Sequence, residues 1–307
     1  MKFNQKKIRN LTIGIITFCL LSSYSLKLIK GSNTAKKIVK EHKDDSYHLE
    51  NIVAHRGFSG LFSDNSSEGI KYASDSECVD MIEIDISITK DKQLILYHDN
   101  LINIDDFTVK IEDLNLKDLD EDFIIKSYPS YPIEELLYDD TWFLLERFLN
   151  KSYKNEYIVK LEDFISSYSF SKTLILDIKA SSVDYLFIEK LNKVLEQYKD
   201  YIYIQSDHYD FLIEMMKLYP DYKYIYIIKS ETSIENMNNN FSGYAVKYNL
   251  LDKIEILPDK LYLVYTINSN KKYLNLLNYD YYQENMYIVT DNPDYICALS
   301  ENKKLRK

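Results

Sequence analysis

From Asn51 onward the chain alternates short apolar runs with longer amphipathic stretches. The runs predict strands over 51–55, 81–87, 93–98, 173–179, 201–206, 223–229, 243–248, 260–267 and 286–290. Helical patterns fill most gaps, at 66–76, 184–199, 208–218 and 270–278. Asn65, with Glu68 three residues on, reads as the N-cap and capping box of the first of these helices. Alternation of this kind predicts a parallel sheet, and in 307 residues a (β/α)₈ TIM barrel. Nine strand candidates are one too many for that fold. Only Ile88 to Lys92 separates the second from the third, too few residues for a parallel crossover. Thr89-Lys90-Asp91-Lys92 reads instead as a hairpin turn. The third strand is thus expected to fold back antiparallel on the second, bringing His98 beside Glu83 and Asp85.

Outside these elements the pattern changes twice. Between Asp99 and about Lys160 it breaks into acidic and aromatic stretches that include Trp142, the single tryptophan. We read about 100–160 as an insertion over the strand ends, following the His98-Asp99 strand. At the N-terminus a basic start, Lys2 to Arg9, precedes the uncharged run Asn10 to Leu26, roughly 26 Å long as a helix. Residues 1–30 read as an uncleaved membrane anchor with the body on the extracytoplasmic side; a signal peptide and secretion is the alternative. Residues 31–49 form a polar tether, and 50–300 the barrel.

Charge narrows the partners. Residues 1–30 hold six of the 38 basic side chains and no acid, so the rest of the chain sets 32 basic against 48 acidic groups. A body this acidic is a poor counterion for a nucleic-acid backbone, and nucleic acid is excluded as the main partner. Cys19 lies in the leader. Cys78 and Cys297 are read as small core residues, with a bridge between them the other possibility.

The chemistry concentrates at strand ends. His42 and His48 fall in the tether and His208 at a helix start, whereas His55 and His98 each close an apolar strand. Strand C-termini form the catalytic face of a parallel barrel. Glu83 and Asp85, two apart in one strand, project to the same side of the sheet, and Asp177 with Lys179 repeats the doublet. Charges in apolar strands are costly unless paired or bound to metal. Three carboxylates converging on one mouth repel each other, which a hard divalent cation with oxygen ligands resolves.

These residues resemble the glycerophosphodiester phosphodiesterases. "VAHRGFSGLFSDNSSEGIKYA" is similar to that family's opening His-Arg-Gly and helix start, and "MIEIDISITKDKQLILYHDNL" to its Glu-x-Asp strand, turn and His-Asp pair. "YIVKLEDFI", "LILDIK", "IYIQSDHYDFL", "LYLVYTIN" and "MYIVTDNPD" resemble later segments, so that the likeness runs in order through 51–297. It implies His55 and His98 as the acid–base pair, Glu83, Asp85 and Asp177 as ligands of one divalent cation (Ca²⁺ or Mg²⁺), and Arg56 and Lys179 facing the substrate phosphate. Three departures stand out. Ser63, Asp64 and Ser66 replace Pro, Glu and Thr, changes expected to touch helix entry more than chemistry. Lys92 replaces the turn glycine. Asp177 replaces Glu, as in the similar spider-venom sphingomyelinase D enzymes.

The function expected is metal-dependent hydrolysis of a small or polymeric glycerophosphodiester to glycerol phosphate and an alcohol. Two alternatives stand beside it. One is a phospholipase D-like lyase acting on phospholipids, and the other a non-catalytic binding module on the same barrel.

Overall fold

The computed structural model describes residues 51–104, 107–119, 158–179, 184–278 and 285–304. The expected anchor and tether, and most of the insertion with Trp142, lie outside them. Among the described residues no helix is long and apolar enough to cross a membrane.

In chain order the elements are β1 (Ile52–Ala54), α1 (Ser67–Asp75), β2 (Met81–Ile88), β3 (Leu94–Leu96), β4 (Leu101–Ile104), β5 (Phe107–Lys110) and α2 (Leu161–Ser167). There follow β6 (Thr173–Ile178), α3 (Tyr185–Leu195), β7 (Ile202–Ser206), α4 (Tyr209–Leu218), β8 (Lys223–Ile228) and α5 (Glu231–Ile234). The last are β9 (Gly243–Lys247), β10 (Leu261–Tyr265), α6 (Asn270–Leu277), β11 (Met286–Thr290) and α7 (Pro293–Lys304). Strands β1, β2 and β6 to β11 pair in parallel in the order β1-β11-β10-β9-β8-β7-β6-β2, and β1 pairs β2 to close the barrel. The ninth strand, β3, returns antiparallel on β2 with Ile86 opposite Leu96 and Ile88 opposite Leu94. The short turn at 89–92 thus does what its length demanded.

Alternation along each strand divides the apolar residues between two cores. Ile82, Ile84, Ile86, Leu174, Leu176, Ile204 and Val264 face outward into the layer beneath the helices. Val53, Ile175, Ile225, Ile227, Ala245, Leu263 and Val289 fill the barrel interior. The inward parity continues past the apolar residues to the strand C-termini, and there the interior becomes polar.

Two local expectations are corrected. Helix α1 is capped by Ser66, whose hydroxyl accepts from the Gly69 N–H, and not by Asn65. Asn65 lies in the left-handed region (φ 60°) with its side chain bonded to Asp85, so it cannot serve the helix. Cys78 and Cys297 are joined in a disulfide and are not separate core residues. They lie 219 positions apart, and only barrel closure brings α7 against the turn before β2. In the described start of the insertion, where the sequence pattern predicted no element, β4 and β5 form an antiparallel hairpin, and Ile102, Ile111 and Leu119 bury a small core with Ile95.

Candidate active site

The mouth of the barrel is built by one rule applied to successive strands. Val53, whose side chain is inside, is followed two residues later by His55; Ile175 by Asp177 and then Lys179; Ile227 by Lys229; Ala245 by Lys247; Leu263 by Tyr265; Val289 by Asp291. In β2 the inward parity of Met81 carries Glu83 and Asp85. Backbone pairing outlasts β3, with the Tyr97 N–H donating to the Asp85 carbonyl, and this return holds His98 over the same opening. His55, Arg56, Glu83, His98, Asp177 and Lys179 line one cavity of about 300 Å³. The seventh expected site residue, Asp85, lies buried beside them.

Glu83, Asp85 and Asp177 come from neighbouring strands, with Asp85 directly opposite Asp177 in the β2–β6 register. One oxygen from each lies within 4.8 Å of the others. Each carboxylate has one oxygen held and one left over. Glu83 Oε2 accepts from the Arg56 N–H at 2.8 Å, Asp85 Oδ2 from Asn65 Nδ2 at 2.9 Å, and Asp177 Oδ2 from Lys179 Nζ at 2.7 Å and Gln205 Nε2 at 3.1 Å. Glu83 Oε1, Asp85 Oδ1 and Asp177 Oδ1 are buried without a hydrogen-bond partner. Leaving such acceptors dry costs of order 1–3 kcal/mol each, or more for a charged group, and only Asp85 Oδ1 has partial relief, from Lys179 Nζ at 3.4 Å. A hard cation with oxygen ligands fits this donor set. Without one, burial and the neighbouring Asp85 push the Glu83 carboxyl up to about 8. Asp85, although buried, is held well below the usual carboxylate range by Lys179 and Arg56.

The two cations are placed by the acids. Arg56 Nη1 donates to Asp64 Oδ2 at 2.7 Å, and its Nε lies 3.4 Å from Asp85. Lys179 Nζ lies 2.7 Å from Asp177 and 3.4 Å from Asp85. Burial opposes the charge on both, but these carboxylates raise both pKa values above normal. Each stays charged with part of its side chain open to the mouth, 14% for Arg56 and 23% for Lys179.

Each histidine has its own acid. His98 Nδ1 lies 2.6 Å from the largely exposed Asp99. His55 Nδ1 lies 2.5 Å from the buried Asp291, whose Oδ1 also accepts from Ser59 Oγ (2.9 Å) and whose Oδ2 accepts from Asn268 Nδ2 (2.6 Å). Burial disfavours the His55 imidazolium, yet Asp291 outweighs it and raises the His55 pKa, while Asp291 is drawn down to about 2. With Nδ1 so engaged, Nε2 is the nitrogen directed toward Glu83, 3.9 Å away. The turn after His55 needs Gly57: its φ is 80°, its N–H bonds the Glu83 carbonyl, and a Cβ would meet Ile70 at 3.0 Å. At Gly60 a Cβ would collide with the Asp291 carbonyl at 2.3 Å, so the backbone carrying the acid can come this near only to glycine.

With this geometry in view, the comparisons are decisive. Residues 55–294 match the model of the Glycerophosphoryl diester phosphodiesterase family. The chain belongs to that family. A Bacillus altitudinis glycerophosphodiester phosphodiesterase is 24% identical over 269 residues, covering 83% of this chain and all of the relative. Among solved structures, an Oleispira antarctica phosphodiesterase in complex with the product sn-glycerol-3-phosphate superposes with a TM-score of 0.59 at 21% identity, covering 82% of this chain and 97% of the other. A glycerophosphodiester phosphodiesterase from Thermotoga maritima gives 0.56 at 19% identity, covering 83% and 100%. These structures share the barrel. Membership carries the enzyme class, a phosphoric diester hydrolase, as the sequence led us to expect.

Three members of the site were not found from sequence. Asp291 and Asn65 lay within segments quoted for their family likeness, "MYIVTDNPD" and "SDNSS", but nothing local says that Asp291 meets His55 or that Asn65 locks Asp85. Parity beyond Val289 was the available signal for Asp291. Asp64, expected to matter only for helix entry, instead holds the Arg56 guanidinium. His208 stays outside the group that lines the cavity, as its place at a helix start suggested.

Proposed function

We propose that this chain hydrolyses glycerophosphodiesters to glycerol phosphate and an alcohol, with one bound divalent cation, Ca²⁺ or Mg²⁺, and with His55 and His98 as the acid–base pair. The observation carrying the proposal is the trio of half-satisfied carboxylates set between two cations and two imidazoles in a single cavity. Glu83, Asp85 and Asp177 hold the cation, which when bound supplies electrostatic polarisation of the phosphoryl oxygens. Arg56 and Lys179 orient the phosphodiester monoanion and neutralise charge gathering on its oxygens. One imidazole takes a proton from the nucleophile and the other gives one to the leaving alkoxide. His55 suits this because Asp291 fixes its ring and stabilises its protonated form; Asp99, from a more open position, orients the His98 ring through its Nδ1.

Asp177, shorter than the family's Glu by one methylene, still joins the trio. The departure therefore does not of itself favour the lyase, and every expected site residue is present, which weighs against a non-catalytic module. We place the enzyme on the outer face of the cell membrane through residues 1–30, or secreted if those are cleaved. The basic-then-apolar leader supports export, and so does the disulfide, since such bonds persist in oxidising compartments.

The test is product analysis on glycerophosphocholine. The reading expects sn-glycerol-3-phosphate and choline, loss of turnover in EDTA, recovery with Ca²⁺ or Mg²⁺, and loss of about 10³-fold or more in kcat for His55→Ala and for His98→Ala. Wild-type turnover in either variant sinks the two-histidine scheme. A cyclic phosphate as sole end product would reassign the enzyme as a lyase.

A further inference from the structure

Glu83, Asp85 and Asp177 are not the last polar residues on their side of the barrel wall. Gln205 stands on β7 two residues beyond the inward-facing Tyr203, while Ile202 and Ile204 turn outward under the helices. Asp85 lies opposite Asp177, and Asp177 opposite Gln205, so the three form one row across β2, β6 and β7. The next position in that row is the apolar Ile225. Gln205 lines the catalytic cavity with Glu83 and Asp177 and is only 6% exposed.

Its amide is oriented by what it touches. Nε2 donates to Asp177 Oδ2 at 3.1 Å, and the reversed amide would set oxygen against oxygen there. Oε1 is thereby turned off Asp177 Oδ2, and among the described residues it is buried without a hydrogen-bond partner. Gln205 thus repeats the condition of the three carboxylates, with one polar atom held and one oxygen dry. Four such oxygens, Glu83 Oε1, Asp85 Oδ1, Asp177 Oδ1 and Gln205 Oε1, come from three adjacent strands. A buried amide oxygen left dry is destabilising and calls for a partner. Amide carbonyls are regular ligands of hard cations such as Ca²⁺. The amide also suits the crowding, because a fourth carboxylate would add repulsion where an amide adds an oxygen and no charge. Asp177 has one methylene less than the family's Glu, so β6 reaches less far into the site. Gln205 offers a longer side chain at the same level of the neighbouring strand.

We propose that Gln205 Oε1 is a fourth protein ligand of the divalent cation held by Glu83, Asp85 and Asp177. The proposal rests on the cation-dependent reading above and extends its ligand set.

The test reads the ion itself. Ca²⁺ is titrated calorimetrically into the full-length wild type, Gln205→Leu and Gln205→Glu. Tb³⁺ luminescence lifetimes in H₂O and D₂O then count the waters on an ion that Ca²⁺ displaces. Gln205→Leu is expected to bind Ca²⁺ about tenfold more weakly and to carry one more water on Tb³⁺ than wild type. Gln205→Glu, which keeps an oxygen but loses the amide donor to Asp177, keeps the wild-type water count. Unchanged melting temperatures of the metal-free proteins show that the variants fold. If Gln205→Leu does not, Gln205→Asn, with its amide withdrawn by one methylene, takes its place with the same expected gain of a water. An equal water count in wild type and the folded Leu or Asn variant overturns the proposal. So does a Gln205→Glu protein that gains the water, since the hold of the amide nitrogen on Asp177 would then be the cause. These readings need no turnover. A wild type that binds Ca²⁺ but leaves glycerophosphocholine intact removes the phosphodiesterase reading alone, and the water count still decides Gln205. A wild type that takes up neither ion overturns both.

Discussion

His55 and Asp291 illustrate how the site works at the scale of single residues. A neutral imidazole buried alone is a weak base, but paired with a carboxylate it holds a proton more readily and keeps one ring nitrogen fixed. The pair's pH dependence follows from the two shifts. Asp291 is depressed to about 2, so its contribution to stability is complete above its ordinary value near 3.8 and fades as pH falls through about 2. His55 is raised, so its contribution is complete below its ordinary value of 6.5 and is lost as pH rises through its folded value. The attraction is therefore whole between about pH 4 and 6.5. Asp291→Asn is expected to cut kcat by about 100-fold or more and to move the His55-governed limb of the pH–rate profile to lower pH. An unmoved limb would show that Asp291 serves packing alone. His55, Glu83, Asp85 and Asp177 were legible from sequence because charge inside an apolar strand is costly enough to demand a reason. Asp291 was not, since an acid just past a strand end is cheap in any loop, and only its burial at 6% exposure and its contact with His55 give it meaning.

At the scale of elements, the turn between β2 and β3 shows a sequence signal correctly read with one feature unforeseen. Four polar residues forced a hairpin, and the hairpin delivered His98. Lys92, standing where the family has glycine, adopts φ 63°. A left-handed conformation costs a residue bearing a Cβ about 1–2 kcal/mol, part of which glycine gives back in chain entropy. Lys92→Gly should accordingly stabilise the fold by about 0.5–1 kcal/mol, read as a higher denaturant midpoint with an unchanged slope. A loss of stability instead would mean that the ion pair of Lys92 with Asp184, at 3.9 Å, outweighs the backbone term. The entry to α1 went the other way. Asn65 and Ser66 are both good N-caps by residue type, and choosing between them needed the position of Asp85, twenty residues away.

At the scale of the molecule, closing the barrel brings β11 beside β1, Asp291 to His55, and Cys297 to Cys78. The disulfide ties the last helix to the first β/α unit across nearly the whole domain. Chain-entropy reasoning puts a ceiling of about 5 kcal/mol on closing so long a loop, and such links typically deliver about 2–4 kcal/mol, so reduction or Cys297→Ser should lower the melting temperature by about 5–10 °C. Equal melting curves with and without reductant would show that the bond does not form. What the sequence by itself determined was everything that depends on local pattern: the number and order of the barrel strands, the antiparallel return of β3, the strand-end histidines and the acidic doublets. Periodicity and the cost of burying charge act over a few residues and leave their mark there. What only the tertiary structure decided were the partnerships between distant segments, namely which oxygen of each acid stays free and which carboxylate serves which histidine. Those depend on register and closure around the whole barrel, and no short stretch of chain contains them.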